Sequence, residues 1–538
     1  MNAPKVLFVN KSATSESLSH SGSKDGTKIY SHVQRTRRWK NSDHGIIQAK
    51  RLTKAETRGR HASWSGDDDS EKGTTNIDQG PLSNQIANGN GSAPTKPSQS
   101  VTSNDFASLY KMPQSTEDIV DPFNTTCIVV DKTVHTLLQY YLHIVHPSVW
   151  HILTAGRNGN ADIFKEKAMT ILKGCLSEQY DMYCLLASMN VHMRYLDGYE
   201  SGKDNDYFMV KAVKASQDYM QRVKQISEQM IFNVFQLSFA EWYRNNEHAT
   251  LVHFRAAANM ARSMGGLRAL AKPIADVLVL GDGYIAGELG TTPIFSHTDF
   301  AMEDDPVMSP YTDHILSQLL SGSVSVAAGL LEHGQNEIVP TELNLIITDL
   351  AVAMLITNAA DAGATPSTVA ERSTGWIYHR VLVVRHRLLE QKFDDPRSES
   401  IKLALLIWIL QCFTRAGRLR SAKLIAPKLR KCLQKMSEDS WKYHDEIRLW
   451  VMIVGAAAAR NGSGDHAWFV QRILPSVASG FDELAVRDDL AGVCCRFFYR
   501  DFSEGDLIGL LARDIVKMKR KGTSVSAPVG YGAATLRD

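Results

Sequence analysis

VLVLGDGYIAG, residues 277–287, decides the fold, because it can be read in two ways. Read as a strand and turn, an apolar run enters Gly281-x-Gly283-x-x-x-Gly287, a spacing like the dinucleotide fingerprint, whose glycines let backbone N–H groups approach a pyrophosphate. That reading needs a following helix, a second strand, and an acid about 20 residues on to hold a ribose. Asp299 stands near that distance, but IFSHTDFAMEDDP (residues 294–306) makes a poor second strand. Read as a helix, the same residues pack against neighbours, and roughly 150 residues on each side share the helical pattern.

Upstream, Thr133–Val145, Ala161–Leu176, Glu178–Leu196, Tyr207–Met230 and Ile231–Asn245 carry apolar residues three and four apart. Downstream, helices are predicted at Leu343–Asn358, Trp376–Leu389, Ser400–Thr414, Ser421–Lys435, Trp441–Arg460, Ala467–Ala478 and Asp488–Tyr499. Each stripe buries one face. In Trp376–Leu389 the period places Ile377, Val381, Val384 and Leu388 together and turns His379, Arg380, Arg385 and Arg387 mostly elsewhere. The most apolar segments, Leu403–Phe413 and Leu449–Ala459, read as core helices, and none reaches the roughly 18 uninterrupted apolar residues of a membrane span. No alternating strands compete. The fold class is therefore all-α: a large multi-helix array, helical-repeat-like although without a strict sequence repeat.

The first hundred residues differ in kind. From Ser12 to about Asp105, Ser, Gly, Asn, Thr, Lys and Asp dominate, with too few large apolar side chains to offset the entropy of ordering the chain. Residues 1–102 are predicted to be a disordered basic tail, 103–520 a helical domain, and 521–538 a flexible C-terminal tail. Net charge is +2 overall, but residues 1–102 hold 15 Lys and Arg against 9 Asp and Glu, which leaves −4 for the rest. Arg35, Arg37, Arg38 and Lys40, followed about ten residues later by Lys50, Arg51 and Lys54, have the form of a two-part nuclear import signal. The same charges are suited to non-specific phosphate contacts, and a solvated charge run without a partner is the third reading. Two short islands, VLFVN (residues 6–10) and IYSHVQRTRRWK (residues 29–40), are candidates for docking segments. The apolar run near Met1 is too short for a signal peptide. Seven cysteines, an odd number without disulfide spacing, read as reduced thiols of a nuclear or cytosolic protein.

HATLVHFRAAANMARSMGGLRAL (residues 248–270) places His253 on a helix that ends at Gly265-Gly266. Asp282 and Ala286 follow on a second segment that exits through Pro293-x-Phe295, and VRHRLL (residues 384–389), KLALL (402–406) and LWVMIVGAAAA (449–459) come later in that order. This ordered set resembles the fungal-specific transcription factor domain family, over roughly residues 103–500. The resemblance implies a helical regulatory domain that acts by contact, with no cofactor and no catalytic residue. Members of the family commonly carry a six-cysteine cluster binding two zinc ions ahead of the domain. Here no cysteine precedes Cys127, and the FVN segment and the basic SHV stretch are similar to those of a subset without that module. What the resemblance implies further is nuclear location, protein partners such as the transcription machinery or a DNA-binding factor, DNA contact through the basic tail, and control of a fungal metabolic gene cluster.

Chemical alternatives find little footing. Asp304-Asp305 and Asp488-Asp489 lack the third acid one turn on that a magnesium-diphosphate site needs, Asp67-Asp68-Asp69 lies in the tail, and caps or solvated loops account for all three groups. Cys494-Cys495 diverge on a helix, Cys175 and Cys184 have no convergent histidines, and His253, His379 and His386 read as packing histidines. There is no G-x-S-x-G elbow, P-loop or H-E-x-x-H. A non-enzymatic regulator is the expectation. A cytosolic interaction scaffold is the alternative, and an enzyme with an unrecognised pocket comes third.

Overall fold

A computed structural model describes residues 126–146, 169, 171–197, 204–301, 305–332, 338–413, 421–477, 480–499 and 501–525. Regular structure among the described residues is helical throughout, with no strand. The basic residues Arg35–Lys54, both docking islands and the predicted disorder of the tail lie outside the described residues, as does most of the helix expected at Ala161–Leu176.

Asp131 starts the array by accepting the Val134 N–H at 2.9 Å, capping α1 (Lys132–Tyr140), which runs on into a π-helical turn at Tyr141–Val145. Helices α2 (Gln179–Asp197), α3 (Asn205–Arg222), α4 (Glu228–Tyr243) and α5 (Glu247–Ser263) follow, with α2 packed against α1, α3 and α4, and α5 against α4. The single helix expected at Tyr207–Met230 is in fact two. The chain leaves helical geometry at Val223, and Ser227 caps a new helix by accepting the Met230 N–H.

The end of α5 shows why the Gly-Gly pair stands there. Gly265 (φ 107) donates to Arg262 O and Gly266 (φ 87) to Ala261 O, satisfying the last carbonyls in a geometry that L side chains resist. A 3-10 turn then leads to α6 (Lys272–Leu289), opened by Pro273 and closed by left-handed Gly290. Residues 277–287 are therefore helix, and the nucleotide reading is excluded. None of Gly281, Gly283 and Gly287 has a positive φ, and at Gly281 and Gly283 it is space rather than conformation that excludes a side chain.

A short turn, α7 (His297–Phe300), leads to α8 (Met308–Leu320), α9 (Ala328–Leu331), α10 (Thr341–Asp361), α11 (Ser367–Glu390), α12 (Pro396–Phe413), α13 (Ser421–Leu433), α14 (Asp445–Ala458), α15 (Gly464–Ile473), α16 (Glu483–Cys495) and α17 (Asp501–Val525). Helix α6 joins the halves, touching α4 on one side and α11 and α13 on the other. By length and composition α10 could cross a bilayer, but Leu343, Ile346, Ile347, Leu350 and Ala353 are buried against neighbouring helices, as in a core helix. Helices α12 and α14 are core helices as expected. Trp408 packs on Phe498 at 5.0 Å between ring centroids, and Trp450 stacks on Phe497 at 5.4 Å. Helix α14 begins at Asp445 rather than at Trp441, because a 3-10 turn and Tyr443 at φ 72 intervene.

Ile377, Val381, Val384 and Leu388 are buried on α11 as predicted, but Arg385 and His379 do not point away: they are 1% and 8% exposed. The reason is geometric. Helices α6, α8, α10 and α12 and the α7 turn surround α11, which leaves little solvent face for its polar residues.

Candidate functional site

The segments singled out in the sequence converge on two features of α6, a buried polar node and an aromatic cavity. At the node, Gly283 lacks a side chain, and this lets the Arg385 guanidinium lie against the helix backbone. Arg385 Nη2 donates to Val279 O at 3.1 Å and Leu280 O at 3.0 Å, and the group sits 5.0 Å from the centre of the Tyr284 ring. Burial pushes its pKa below the ordinary arginine value, while Tyr284, Tyr378 and Asp282 pull it back. Asp282, one residue earlier on α6, accepts the backbone N–H groups of Ile294 (3.0 Å) and Phe295 (2.7 Å) and so folds the Pro293-x-Phe295 exit onto its own helix.

His386 completes the node. Its Nδ1 donates to Leu382 O at 2.9 Å, its Nε2 lies 3.8 Å from Asp282, and burial lowers its pKa, which keeps the ring neutral. Two further α11 side chains hold the α7 turn: His379 Nε2 donates to Phe300 O at 2.6 Å, and Glu390 accepts both the backbone N–H and Nδ1–H of His297. At the far end of α6, Lys428 of α13 donates to the last carbonyls, Gly287 O and Glu288 O. This arrangement positions helices. Asp282 accepts from two backbone amides and Arg385 Nη2 donates to two backbone carbonyls, so each ties its own helix to a neighbouring segment.

The cavity opens on the other side of α6, between α1, α2 and α4, and spans about 850 Å³ when the open solvent at its mouth is included. Its wall is aromatic. Phe235 and Phe239 pack at 4.7 Å, Tyr243 meets His192 edge-on at 4.7 Å, and Trp242 stacks on Tyr284 at 5.8 Å. His192 is set by Tyr140, whose hydroxyl lies 2.7 Å from Nδ1. Val145, Ile171, Pro273 and Val277 form a half-buried rim, and Ser188, Met189 and Gln236 a buried floor. Burial also holds the Tyr141 phenol well above the usual tyrosine pKa, so it remains protonated.

The remaining candidates are dispersed. Asp305 caps α8 through Val307 N and Met308 N and pairs with Arg372; Asp488 and Asp489 are exposed on α16. Cys494 is buried and its neighbour Cys495 exposed, and Cys184 is buried as well. Burial pushes the Cys127 thiol up to about 11 and Cys175 up to about 12, away from thiolate chemistry. His253, half-buried on α5, is pushed down to about 4 by burial. Among the described residues no three His, Cys, Asp or Glu are grouped to hold a metal ion. Sequence reasoning missed Ser188 and Gln236. Their trace is weak, because Ser188 shares the largely apolar run CLLASMNV with Asn190, and Gln236 shares IFNVFQLSF with Asn233 and Ser238.

The described residues thus form an all-helical body with an aromatic cavity and a buried polar clasp. Residues 136–281 match the family model of the fungal specific transcription factor domain, from within α1 to the middle of α6. That match supports a role in transcription regulation, and it contains the His253–Gly266 signature and every residue lining the cavity except Tyr284. Asp282 and the later motifs lie beyond it. Neither a curated protein nor a solved structure matches the chain.

Proposed function

We propose that this protein is a nuclear, non-enzymatic regulator of transcription that works by contact, through the helical domain, with protein partners such as the transcription machinery or a DNA-binding factor. The observation that carries this reading is the match of residues 136–281 to the transcription factor domain, over the segment whose helices build the aromatic cavity. The residues before Cys127 hold no cysteine, and in this reading DNA contact falls to the basic tail or to a partner. Arg35, Arg37, Arg38, Lys40, Lys50, Arg51 and Lys54 serve nuclear import in this reading and add salt-dependent phosphate contacts. Its targets are the genes of a fungal metabolic cluster.

Two measurements test it. A fluorescent fusion in a fungal cell is expected in the nucleus, and replacement of those seven residues by Ala is expected to move it to the cytosol; a cytosolic distribution of both forms removes the import claim. Chromatin immunoprecipitation is expected to show promoter enrichment, and its absence in a cell expressing the protein favours the cytosolic scaffold.

A further inference from the structure

We propose that the cavity between α1, α2, α4 and α6 binds a neutral, planar aromatic small molecule that carries a hydroxyl or carbonyl group. This supplies an effector for the regulator described above and rests on that reading only for its regulatory meaning, since binding itself is a property of the isolated chain.

Four observations lead to the ligand class. First, among the described residues no Asp, Glu, Lys or Arg lines the cavity, and its basic groups are the imidazoles of His146 and His192, so a charged ligand would give up its hydration without a permanent counter-charge. Second, Phe232, Phe235, Phe239, Tyr243 and Tyr284 supply ring faces and edges, and Met189 adds an adaptable thioether, a surface that favours a flat ring system. Third, Ser188 and Gln236 line the cavity while only 1% and 7% exposed, and neither side chain has a hydrogen-bond partner among the described residues. A hydroxyl and a carboxamide each donate and accept, so a ligand oxygen of either kind satisfies them. Leaving such a group unpaired costs about 1–3 kcal/mol, which a ligand recovers. Fourth, the rim of Val145, Ile171, Pro273 and Val277 is half-buried and gives a route in.

The test uses the full chain and the neutral fluorophore N-phenyl-1-naphthylamine. Saturable binding of one probe per chain is expected, and its sulfonated analogue 1-anilinonaphthalene-8-sulfonate is expected to bind about 10-fold more weakly for want of a counter-charge. Val277→Trp, which fills the mouth from the rim, is expected to weaken the probe about 10-fold with helical circular dichroism unchanged. If that variant does not fold, Val145→Trp obstructs the same mouth from α1. In competition, 1-naphthol is expected to displace the probe about 5-fold better than naphthalene, and Gln236→Leu to reduce that advantage. Probe uptake that never saturates, folded rim variants that bind as wild type does, or a sulfonate that binds as tightly as the neutral probe would each overturn the proposal. Promoter occupancy is measured separately, so failure of the ligand site and failure of the transcriptional reading remain distinguishable.

Discussion

Replacing Gly283 with Ala puts the meaning of the glycine-rich stretch to the test. A Cβ built at Gly283 falls 2.2 Å from Nε and Nη2 of Arg385 and 2.3 Å from its Cζ, distances that no side chain tolerates. An arginine on the surface would swing aside. Arg385 is 1% exposed and tied to Val279 O and Leu280 O, so displacement strips a buried cation of its acceptors. Hydrogen bonds to a charged group contribute about 1.5–3 kcal/mol each, and leaving a buried charge unpaired costs about 3–5 kcal/mol. Against this, Ala is favoured over Gly inside a helix by about 1 kcal/mol. The balance is a loss of about 2–4 kcal/mol. Gly375 on α11 provides the control, because it is helical and exposed with nothing within 4 Å of a built Cβ. Gly375→Ala is expected to gain about 0.5–1 kcal/mol from propensity alone.

Urea unfolding followed by circular dichroism measures both, the midpoint shifting at constant slope if only stability changes. Adding Arg385→Met to Gly283→Ala removes the clash and the charge together, so the double variant is expected to lose less than the two single losses combined, by more than about 1 kcal/mol. If Gly283→Ala is as stable as Gly375→Ala, the clasp is not what the glycine serves and the account of α6 fails.

Three further outcomes follow from single side chains. Gly266→Ala meets nothing within 4 Å but forces a side chain to φ 87, so it is expected to cost about 1–2 kcal/mol from strain alone in the same urea assay. Burial raises the Asp181 carboxyl to about 6, against the opposing hydrogen bond from Asn233, while the unfolded chain titrates near 3.8. The proton thus stabilises the folded state fully below 3.8, and this contribution is lost as pH rises through 6. Asp181→Asn is therefore expected to be more stable than wild type by about 2 kcal/mol at pH 8 and no more stable near pH 3.5, as read from urea midpoints. For His379 the sign is opposite: burial lowers its pKa to about 4, so its contribution is present above 6.5 and lost as pH falls from 6.5 to 4. His379→Gln is expected to flatten the acid limb of the stability profile by about 3 kcal/mol between those pH values, compared with wild type.

The helices were legible because their burial is periodic. Ile377, Val381, Val384 and Leu388 lie where a 3.6-residue repeat puts them, and each is buried. Periodicity fails where tertiary surroundings decide. In an amphipathic pattern Arg385 belongs to the solvent face, and only the crowding of α11 by α6, α10 and α12 brings it inside. The break between α3 and α4 contains no Gly or Pro, so its readable sign was the cap itself, Ser227 ahead of Glu228. The cavity was not legible in any local window. Its floor comes from α2 and α4 and its rim from the π-helical turn after α1, Ile171 and the start of α6, and a gap between helices leaves no mark on the period of any one of them.

The glycines of VLVLGDGYIAG show how a nucleotide-like spacing arises without a nucleotide. At 100° per residue, Gly283 and Gly287 lie one turn apart on one face of α6, and Gly281 falls on the opposite side. The contacts follow that geometry: a Cβ at Gly281 would strike Phe235 and Phe239 of α4 and one at Gly283 would strike Arg385 of α11, whereas one at Gly287 would meet Ile425 of α13 and Leu389 of α11 at ordinary contact distance. Small residues on both faces let two helices approach α6 at once, as ridge-and-groove packing at close range requires. A phosphate-binding loop needs glycines where the backbone must turn or meet a ligand. A helix clasped from two sides needs them where neighbouring side chains arrive, and the two demands produce nearly the same spacing in the chain.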